Sequence, residues 1–170
     1  MTNIKISLSR KSIDEAILKL KKYKNDVKLK SEQLIQRLVD SGVAIAQTKV
    51  LEMDINDTGN LLNSISGYYS PTLNAGFITV NCDYAVFVEF GTGIKGKNSP
   101  YPGTAMAEAG YQYMSGTTYI TTKDGRVGWF YPADDGTWRF TEGLPSRPFM
   151  YETALELENQ LNKIVREVFK

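Results

Sequence analysis

The sequence predicts an α+β domain in which a long amino-terminal helix and a carboxy-terminal helix pack on one face of an antiparallel sheet. The distribution of helix-breaking residues leads to this fold class. All six prolines lie between Pro71 and Pro148, and thirteen of the fourteen glycines lie between Gly59 and Gly143. Because both residue types interrupt helices, the two ends are expected to be helical and the middle to consist of strands and turns. This separation favours α+β over alternating β-α-β units.

Length and composition are those of one ordinary domain, residues 1–170. The sequence contains no histidine, which excludes Ser-His-Asp relays and His-ligated metal sites, and its single cysteine, Cys82, excludes an internal disulfide. With 20 basic and 19 acidic residues, the net charge of +1 argues against a dedicated nucleic-acid coat. The chain start lacks the pattern of a signal peptide, and no run has the length of an apolar membrane span. We therefore expect a protein made in a cytoplasm.

The first part of the chain is predicted to be a short strand followed by one long helix. Ile4, Ile6 and Leu8 alternate with polar residues, which is typical of a half-buried strand. Ser12 and Glu15 have the spacing of a capping box, which predicts that the helix begins at Ser12. Apolar residues then keep helical spacing without a proline, so the helical part is expected to cover residues 12–53.

The charge of this first part allows two interpretations. Residues 1–40 carry ten basic and five acidic residues, so the remaining chain has a net charge of −4. A lysine-rich helix face is commonly a solvated surface, and that interpretation is favoured. The alternative is a face that contacts phosphates or an acidic partner, as in a DNA-binding module.

The middle part, residues 61–143, is predicted to contain the sheet and a long loop. Two stretches around the turn residues 71–76 alternate as an antiparallel hairpin does. Residues 83–90 are mainly apolar, and periodicity alone does not distinguish a buried strand from a short buried helix. A loop-rich stretch follows from Gly93 to Gly116.

Two Asp-Gly pairs predict the rest of the sheet. Residues 124–125 and 135–136 are flanked by β-branched and aromatic residues, which is a strong hairpin signal. The sequence therefore predicts a three-stranded meander over residues 117–141. Beyond it, Ser146 is a predicted cap, Pro148 fits a first helical turn, and an apolar stripe predicts a helix over residues 146–169.

Three groups of residues resemble functional sites, and each also has a structural interpretation. Gly91–Lys97 has the spacing of a phosphate-binding loop, but Asn98 replaces the magnesium-binding hydroxyl and Pro100 follows, so a glycine-rich turn is favoured over nucleotide binding. Glu89, inside an apolar segment, is interpreted as a structural or subunit-bridging partner of Arg147 or Arg139 rather than as a catalytic acid. The tyrosines and tryptophans between residues 68 and 151 are interpreted as core or interface residues rather than base-stacking platforms. We expect no cofactor, no metal and no small-molecule substrate.

Two motifs in this order resemble a family of tailed-phage proteins. Tyr84-Ala-Val-Phe-Val-Glu89-Phe-Gly91-Thr92 is similar to the pattern YA-x-x-VE-[FY]-GT of the family named for the tenth gene product of phage Hong Kong 97. Further along, an aromatic hairpin precedes Gly143-Leu-Pro-Ser-Arg-Pro148-Phe149-Met, which is similar to the family's PF step into the last helix. The resemblance spans residues 12–170. The matching positions are Tyr84, Ala85, Glu89, Gly91, Thr92, Pro148 and Phe149.

The resemblance implies a non-enzymatic virion protein, a tail-completion or head–tail joining component at the phage neck. Its partners would be copies of itself, in a ring of six around the DNA channel, and other neck or tail proteins. A tail terminator that caps the tail tube is the nearest alternative. Pro148 is expected to fix the start of the last helix, and Phe149 to anchor that helix against the sheet near Tyr84.

The long loop at residues 95–118 departs from shorter members of the family. Within it, Thr104, Ala105, Met106 and Ala107 are apolar or small and lack core periodicity. We therefore expect this segment to order against a neighbouring subunit, with a merely mobile loop as the alternative.

Overall fold

The computed structural model of the chain describes residues 7, 9–55, 59–116, 118–133 and 135–170. Six helices lie within these residues: α1 (Arg10–Glu52), α2 (Asn60–Ser64), α3 (Ala85–Phe90), α4 (Gly93–Asn98), α5 (Ala105–Glu108) and α6 (Phe149–Val168). Five strands accompany them: β1 (Ile65–Ser70), β2 (Ala75–Val80), β3 (Ile120–Thr121), β4 (Val127–Pro132) and β5 (Trp138–Thr141). The predicted strand at Ile4, Ile6 and Leu8 falls outside the described residues.

The α+β class is confirmed, with a long amino-terminal helix, a carboxy-terminal helix and antiparallel strands. The strands form two small sheets instead of one: β1 pairs with β2, and β3, β4 and β5 form the predicted meander. The reason lies in residues 83–90, which contain helix α3 (Ala85–Phe90) and no strand. The connection between the two sheets is therefore helical or irregular.

Helix α1 is continuous, as predicted, but it begins two residues earlier than the capping box suggested. The side chain of Ser9 accepts the backbone N–H of Ser12 and so serves as the cap. The hydroxyl of Ser12 instead accepts the backbone N–H of Ser7 at 3.0 Å. Ser9, three residues upstream, thus accepts the backbone N–H of Ser12, which the capping box assigned to the side chain of Glu15.

Helix α6 runs antiparallel beside the second half of α1. Arg37 pairs with Glu167 at 3.0 Å near one end, and Lys49 pairs with Glu152 at 3.5 Å near the other. Between them, Gly42 of α1 is buried, and a Cβ atom there would overlap the side chain of Ile78 in β2 and come within 2.8 Å of Leu157 in α6. Side chains from the first sheet and from α6 therefore meet on the same stretch of α1.

The core lies where α1 ends and α6 begins. Its buried members come from four helices, one strand and the connection between α1 and α2. They are Ala46 and Val50 of α1, Ile55 of the connection, Leu61 of α2, Ile65 of β1, Val88 of α3 and Phe149 of α6. Phe149, with 1% of its surface exposed, is the largest fully buried side chain. No helix of the described chain is long and apolar enough to cross a membrane.

Candidate interaction site: a motif junction and an aromatic pocket

The carboxylate of Glu89 caps the last helix. One oxygen, Oε2, accepts the backbone N–H of Met150 at 2.9 Å, and Oε1 accepts that of Tyr151 at 3.0 Å. Helix α6 has no side-chain cap at its own N-cap residue, Pro148. Glu89 thus satisfies two of the amide groups that a helix start leaves without intrahelical partners, and its negative charge faces the positive end of the helix dipole.

The predicted cation partners of Glu89 are wrong. Arg139 pairs with Asp135 at 2.7 Å, and the guanidinium of Arg147 donates to the carbonyl of Asp54 at 3.5 Å. Ser146 does not cap α6 either, since its hydroxyl donates to the carbonyl oxygen of Glu89 at 2.7 Å. The helix start provides positive potential and two donors in fixed positions, which removes the need for a cation beside the carboxylate.

Glu89 is buried, with 8% of its surface exposed. Burial raises the pKa of its carboxyl group above the ordinary value, and the bonds from Met150 and Tyr151 oppose that rise. The nearby charge of Glu152 raises the pKa further. Both oxygens are engaged by the backbone of α6, so the group acts as a structural acceptor.

The backbone just after Glu89 pairs with the segment that leads into α6. The N–H of Thr92 donates to the carbonyl of Leu144 at 2.8 Å, and the N–H of Leu144 donates back to Thr92 at 3.1 Å. Arg147 donates its backbone N–H to the carbonyl of Val88 at 2.9 Å. We call the paired segments 88–93 and 143–151 the motif junction, because each contains part of one of the two family-like motifs.

Glycines make this close approach feasible. Gly91 and Gly143 have φ values of +80° and +97°, in the left-handed region that other residues rarely adopt. A Cβ atom at Gly143 would overlap the carbonyl oxygen of Thr92, and one at Gly91 would lie 2.6 Å from the nitrogen of Ser146. The glycines at these two positions are therefore required by both backbone conformation and space.

The segment that resembles a phosphate-binding loop has a different structure. Residues Gly93–Asn98 form helix α4, a correction to the glycine-rich turn that we expected. The helix ends near Lys97, whereas a phosphate-binding loop needs a helix to begin there. Gly96 is buried against Tyr113, and Lys95 and Lys97 are exposed. This geometry provides no phosphate cradle at residues 91–97.

An open pocket of about 520 Å³ lies beside the motif junction. Thr92, Gly143 and Leu144 of the junction form part of its wall, and none of the described residues that line it carries a charge. Seven aromatic residues supply most of the remainder: Tyr84, Phe87, Tyr111, Tyr113, Tyr119, Trp129 and Tyr131. We call this cavity the aromatic pocket.

Hydrogen bonds and ring contacts hold the pocket wall together. Tyr111 donates its hydroxyl to the carbonyl of Gly91 at 2.7 Å, and Tyr119 donates to the carbonyl of Tyr113 at 3.2 Å. The rings of Tyr119 and Trp129 meet edge to face, with centroids 5.5 Å apart. Burial raises the pKa of the Tyr111 and Tyr119 hydroxyls above the ordinary phenol value.

The structure places the matching residues in three locations: the motif junction, the core and the aromatic pocket. Glu89, Gly91, Thr92 and Pro148 belong to the junction, and Ala85 packs against the core. Phe149 is buried in that core beside residues such as Ile65 of β1, but Tyr84 is not part of this cluster. Tyr84 precedes α3, is 37% exposed and lines the aromatic pocket. Burial of Phe149 agrees with its predicted role as an anchor of the last helix, and its position near Tyr84 stays a prediction.

The segment Thr104–Ala107 is ordered within its own chain. Ala105–Glu108 form a single helical turn, α5, in which the N–H of Glu108 donates to the carbonyl of Thr104. Met106 is half-buried, whereas Thr104, Ala105 and Ala107 are exposed. A contact of these exposed positions with a neighbouring subunit stays a prediction.

Sequence reasoning missed the aromatic pocket. Its wall combines residues from α3, from the stretch 111–119 and from the meander, which only the fold brings together. The alternation of Tyr111 with Tyr113 is the sequence feature that could have indicated an aromatic cluster.

Among the described residues, no group of three or more cysteine, aspartate or glutamate side chains is placed to hold a metal ion. No family model matches the chain, and comparisons with curated proteins and with solved structures found no match either.

Proposed function

We propose that the chain is a structural virion protein of a tailed phage or prophage, a tail-completion or head–tail connector component at the neck. In this role it forms or joins a ring around the DNA channel and contacts other neck or tail proteins. The resemblance of two motifs leads to the proposal. In this proposal the protein is assembled in the host cytoplasm, becomes part of the virion, and has no catalytic activity or cofactor.

The observation that carries the proposal is the motif junction. Residues from the two family-like motifs bond to each other: Glu89 accepts the N–H of Met150, and Thr92 and Leu144 exchange backbone hydrogen bonds. Two motifs that must fit one another give a physical reason for their joint occurrence. They also fix the aromatic pocket relative to α6.

The state of Glu89 supports a structural role over catalysis. A general acid or base must reach a substrate proton at about 2.6–3.2 Å. Both carboxylate oxygens of Glu89 already accept backbone N–H groups of α6, and only 8% of the residue is exposed.

Removal of the gene from the phage or prophage that encodes it tests the proposal. We expect filled heads and tails of normal length that fail to join, and rescue by the wild-type protein supplied in trans. Cryo-electron microscopy of rescued particles should show its density at the neck. Normal joined particles without the protein would contradict the proposal, whereas tails of uncontrolled length would favour the tail terminator, because a missing cap leaves tube growth unchecked.

A DNA-binding role for α1 is the second candidate. Between Arg10 and Lys28 the helix carries seven basic residues, all exposed, and three acidic ones. We expect such a face to bind duplex DNA with an affinity that falls steeply with salt. Replacing Lys21, Lys22 and Lys24 with glutamine should weaken binding, while replacing Lys95 and Lys97 of α4 serves as the matched control. Absence of duplex binding at low salt would remove this candidate.

A further inference from the structure

The three-stranded meander has two different faces. In the β4–β5 pair, Trp129 is opposite Thr141 and Pro132 is opposite Trp138. Successive side chains of a strand point to opposite faces, so Trp138 lies on the face opposite to that of Trp129. Trp129, Tyr131 and Thr141 line the aromatic pocket. The other face, which we call the outer face, carries Phe130, Pro132, Trp138 and Phe140.

The outer face is apolar and exposed. Trp138 has 68% of its surface exposed, the highest value among the exposed large hydrophobic residues of the described chain, and Phe130 has 51%. Phe130 and the half-buried Phe140 meet edge to face at 5.5 Å, and the guanidinium of Arg126 lies over the Phe140 ring at 5.2 Å. Contiguous apolar patches of this kind on soluble proteins commonly mark interaction surfaces.

We infer that Trp138 of one copy inserts into the aromatic pocket of a second copy, so that copies associate head to tail. The pocket volume of about 520 Å³ accommodates an indole ring, and its aromatic wall offers edge-to-face contacts to that ring. The side chains of Thr92, Gln112, Ser115 and Thr141 in the same wall provide oxygen acceptors for the indole N–H. A buried aromatic anchor in a well-packed pocket is the usual form of an interface hot spot.

Charge and geometry select this occupant. The described residues of the pocket wall are all uncharged, which disfavours the lysine-rich part of α1 and any acidic peptide. Anchor and pocket lie on opposite faces of one sheet, so the contact cannot be satisfied within the copy that supplies it. A repeated contact between two different surfaces is heterologous, and it closes into a ring when the rotation per copy divides a full turn.

The exposed area indicates a weak contact. A fully buried tryptophan removes roughly 150–250 Å² from water, and Phe130 adds less than that. A standard interface buries about 800 Å² on each partner. We therefore expect association that depends on concentration and is strengthened by ring closure. This inference deepens the proposed function by naming a ring contact, but the contact itself is a property of the purified protein.

Sedimentation of the full-length protein from about 10 μM to about 1 mM, the range in which weak contacts form, tests the inference. Wild type is expected to associate, with a blue shift of tryptophan emission. Trp138→Ala removes the anchor, and Gln112→Arg or Ser115→Arg places a charge in the pocket at exposed positions. Each of these variants should stay monomeric. Leu73→Ala, at an equally exposed apolar residue of the β1–β2 turn, is the matched control and should associate like wild type.

Mixing two variants directly tests whether the anchor of one copy binds the pocket of another. Trp138→Ala keeps an intact pocket, and Gln112→Arg keeps an intact anchor, so an equimolar mixture should form heterodimers although neither variant associates alone. The Ser115→Arg variant replaces Gln112→Arg if circular dichroism shows that the latter does not fold. A wild type that stays monomeric throughout, a Trp138→Ala variant that associates normally, or a mixture without heterodimers would overturn the inference.

Complementation separates this inference from the proposed function. If Trp138→Ala is monomeric in solution and fails to join heads to tails, the anchor works in the particle. If purified wild type never associates but still completes particles, the inference fails and the proposed function stands. If the protein associates through Trp138 but its gene is dispensable for particles, the proposed function fails and the inference stands.

Discussion

The carboxylate of Glu89 accepts the backbone N–H of Met150 at 2.9 Å, across 61 positions of sequence. Its second oxygen accepts the N–H of Tyr151. A side chain of α3 thus accepts two backbone hydrogen bonds from the first turn of α6 inside a mostly apolar core. These bonds connect the start of α6 directly to α3.

Removal of the Glu89 carboxylate should destabilise the fold. Glu89→Ala leaves two buried amide groups without acceptors and is expected to lower the free energy of unfolding by about 2–4 kcal/mol. Urea unfolding followed by circular dichroism measures the loss. Glu158→Ala, at an exposed glutamate of α6, is the control and should change stability by less than about 0.5 kcal/mol. Equal stabilities of the two variants would show that the cap contributes little.

The raised pKa of Glu89 predicts a pH dependence with a defined sign. The folded state holds this proton more tightly than the unfolded state. The contribution is therefore fully present below the ordinary glutamate pKa of about 4.3 and is lost as pH rises through the raised pKa. Between these limits the stability of wild type relative to Glu89→Gln should fall, by at most about 1.4 kcal/mol per pH unit.

Urea unfolding of both proteins at closely spaced pH values between about 4 and 7 measures this difference, since the range starts near the ordinary glutamate pKa. The lowered pKa values of Asp124 and Asp135 have the opposite sign but are common to both proteins, so they cancel. A difference that rises with pH would mean that the two amide bonds outweigh burial at Glu89.

Two glycines that both have a positive φ angle but differ in their surroundings test the motif junction. Gly143→Ala forces a left-handed alanine and an overlap with the carbonyl of Thr92. Gly110 also has a positive φ, +64°, but nothing lies within 4 Å of its Cβ position. We expect Gly110→Ala to cost about 1 kcal/mol from strain alone and Gly143→Ala to cost at least about 2 kcal/mol more, measured by thermal and urea unfolding. Equal losses would mean that the junction relaxes without cost.

Much of the fold was predictable because it depends on local patterns. Helical spacing of apolar residues without prolines predicted α1 and α6, and two Asp-Gly turns predicted the meander. Residues 83–90 were ambiguous, because a short apolar run has the same composition in a buried helix and a buried strand. Because this segment contains a helix, the strands before and after it form two separate sheets instead of the one predicted.

The partner of Glu89 could not be predicted for a different reason. Its acceptor oxygens bind backbone amides of residues 150 and 151, and an amide is present at nearly every position, so no side chain marks the partner. The sequence led to the prediction of a cation because only side-chain partners differ from one position to the next. The aromatic pocket was hidden similarly, since its wall depends on three segments that only the fold brings together.

Phe149 distinguishes a core role from an interface role. Its side chain is 1% exposed, so Phe149→Ala is expected to cost about 3–5 kcal/mol and to leave the protein largely unfolded or insoluble. Phe130→Ala, at a half-exposed phenylalanine of the outer face, is the control and should fold normally. A well-folded Phe149→Ala protein that fails only in assembly would move Phe149 from the core to an interface.

The exposed side of α5 is the remaining predicted subunit contact, and point substitutions test it better than a deletion. Removing residues 96–115 would also remove Tyr111, whose hydroxyl bonds to Gly91, and Tyr113, whose carbonyl accepts the N–H of Gly93. Such a deletion would damage the motif junction, so a loss of joined particles could come from misfolding as well as from a missing subunit contact. Ala105→Glu combined with Ala107→Lys changes two exposed positions and should shift the free energy of unfolding by less than about 1 kcal/mol.

If residues 104–107 contact a neighbouring subunit, this double variant should fold normally and yield far fewer joined particles in a complementation assay. Two new charges without partners would have to be desolvated in an apolar contact, which is costly even when stability of the single subunit is unchanged. Ala154→Glu combined with Asn159→Lys, at exposed positions of α6, introduces the same two charges elsewhere on the surface. Full complementation by the α5 variant would show that this helical turn is not a subunit contact, and the association would then depend on other surfaces such as the outer face of the meander.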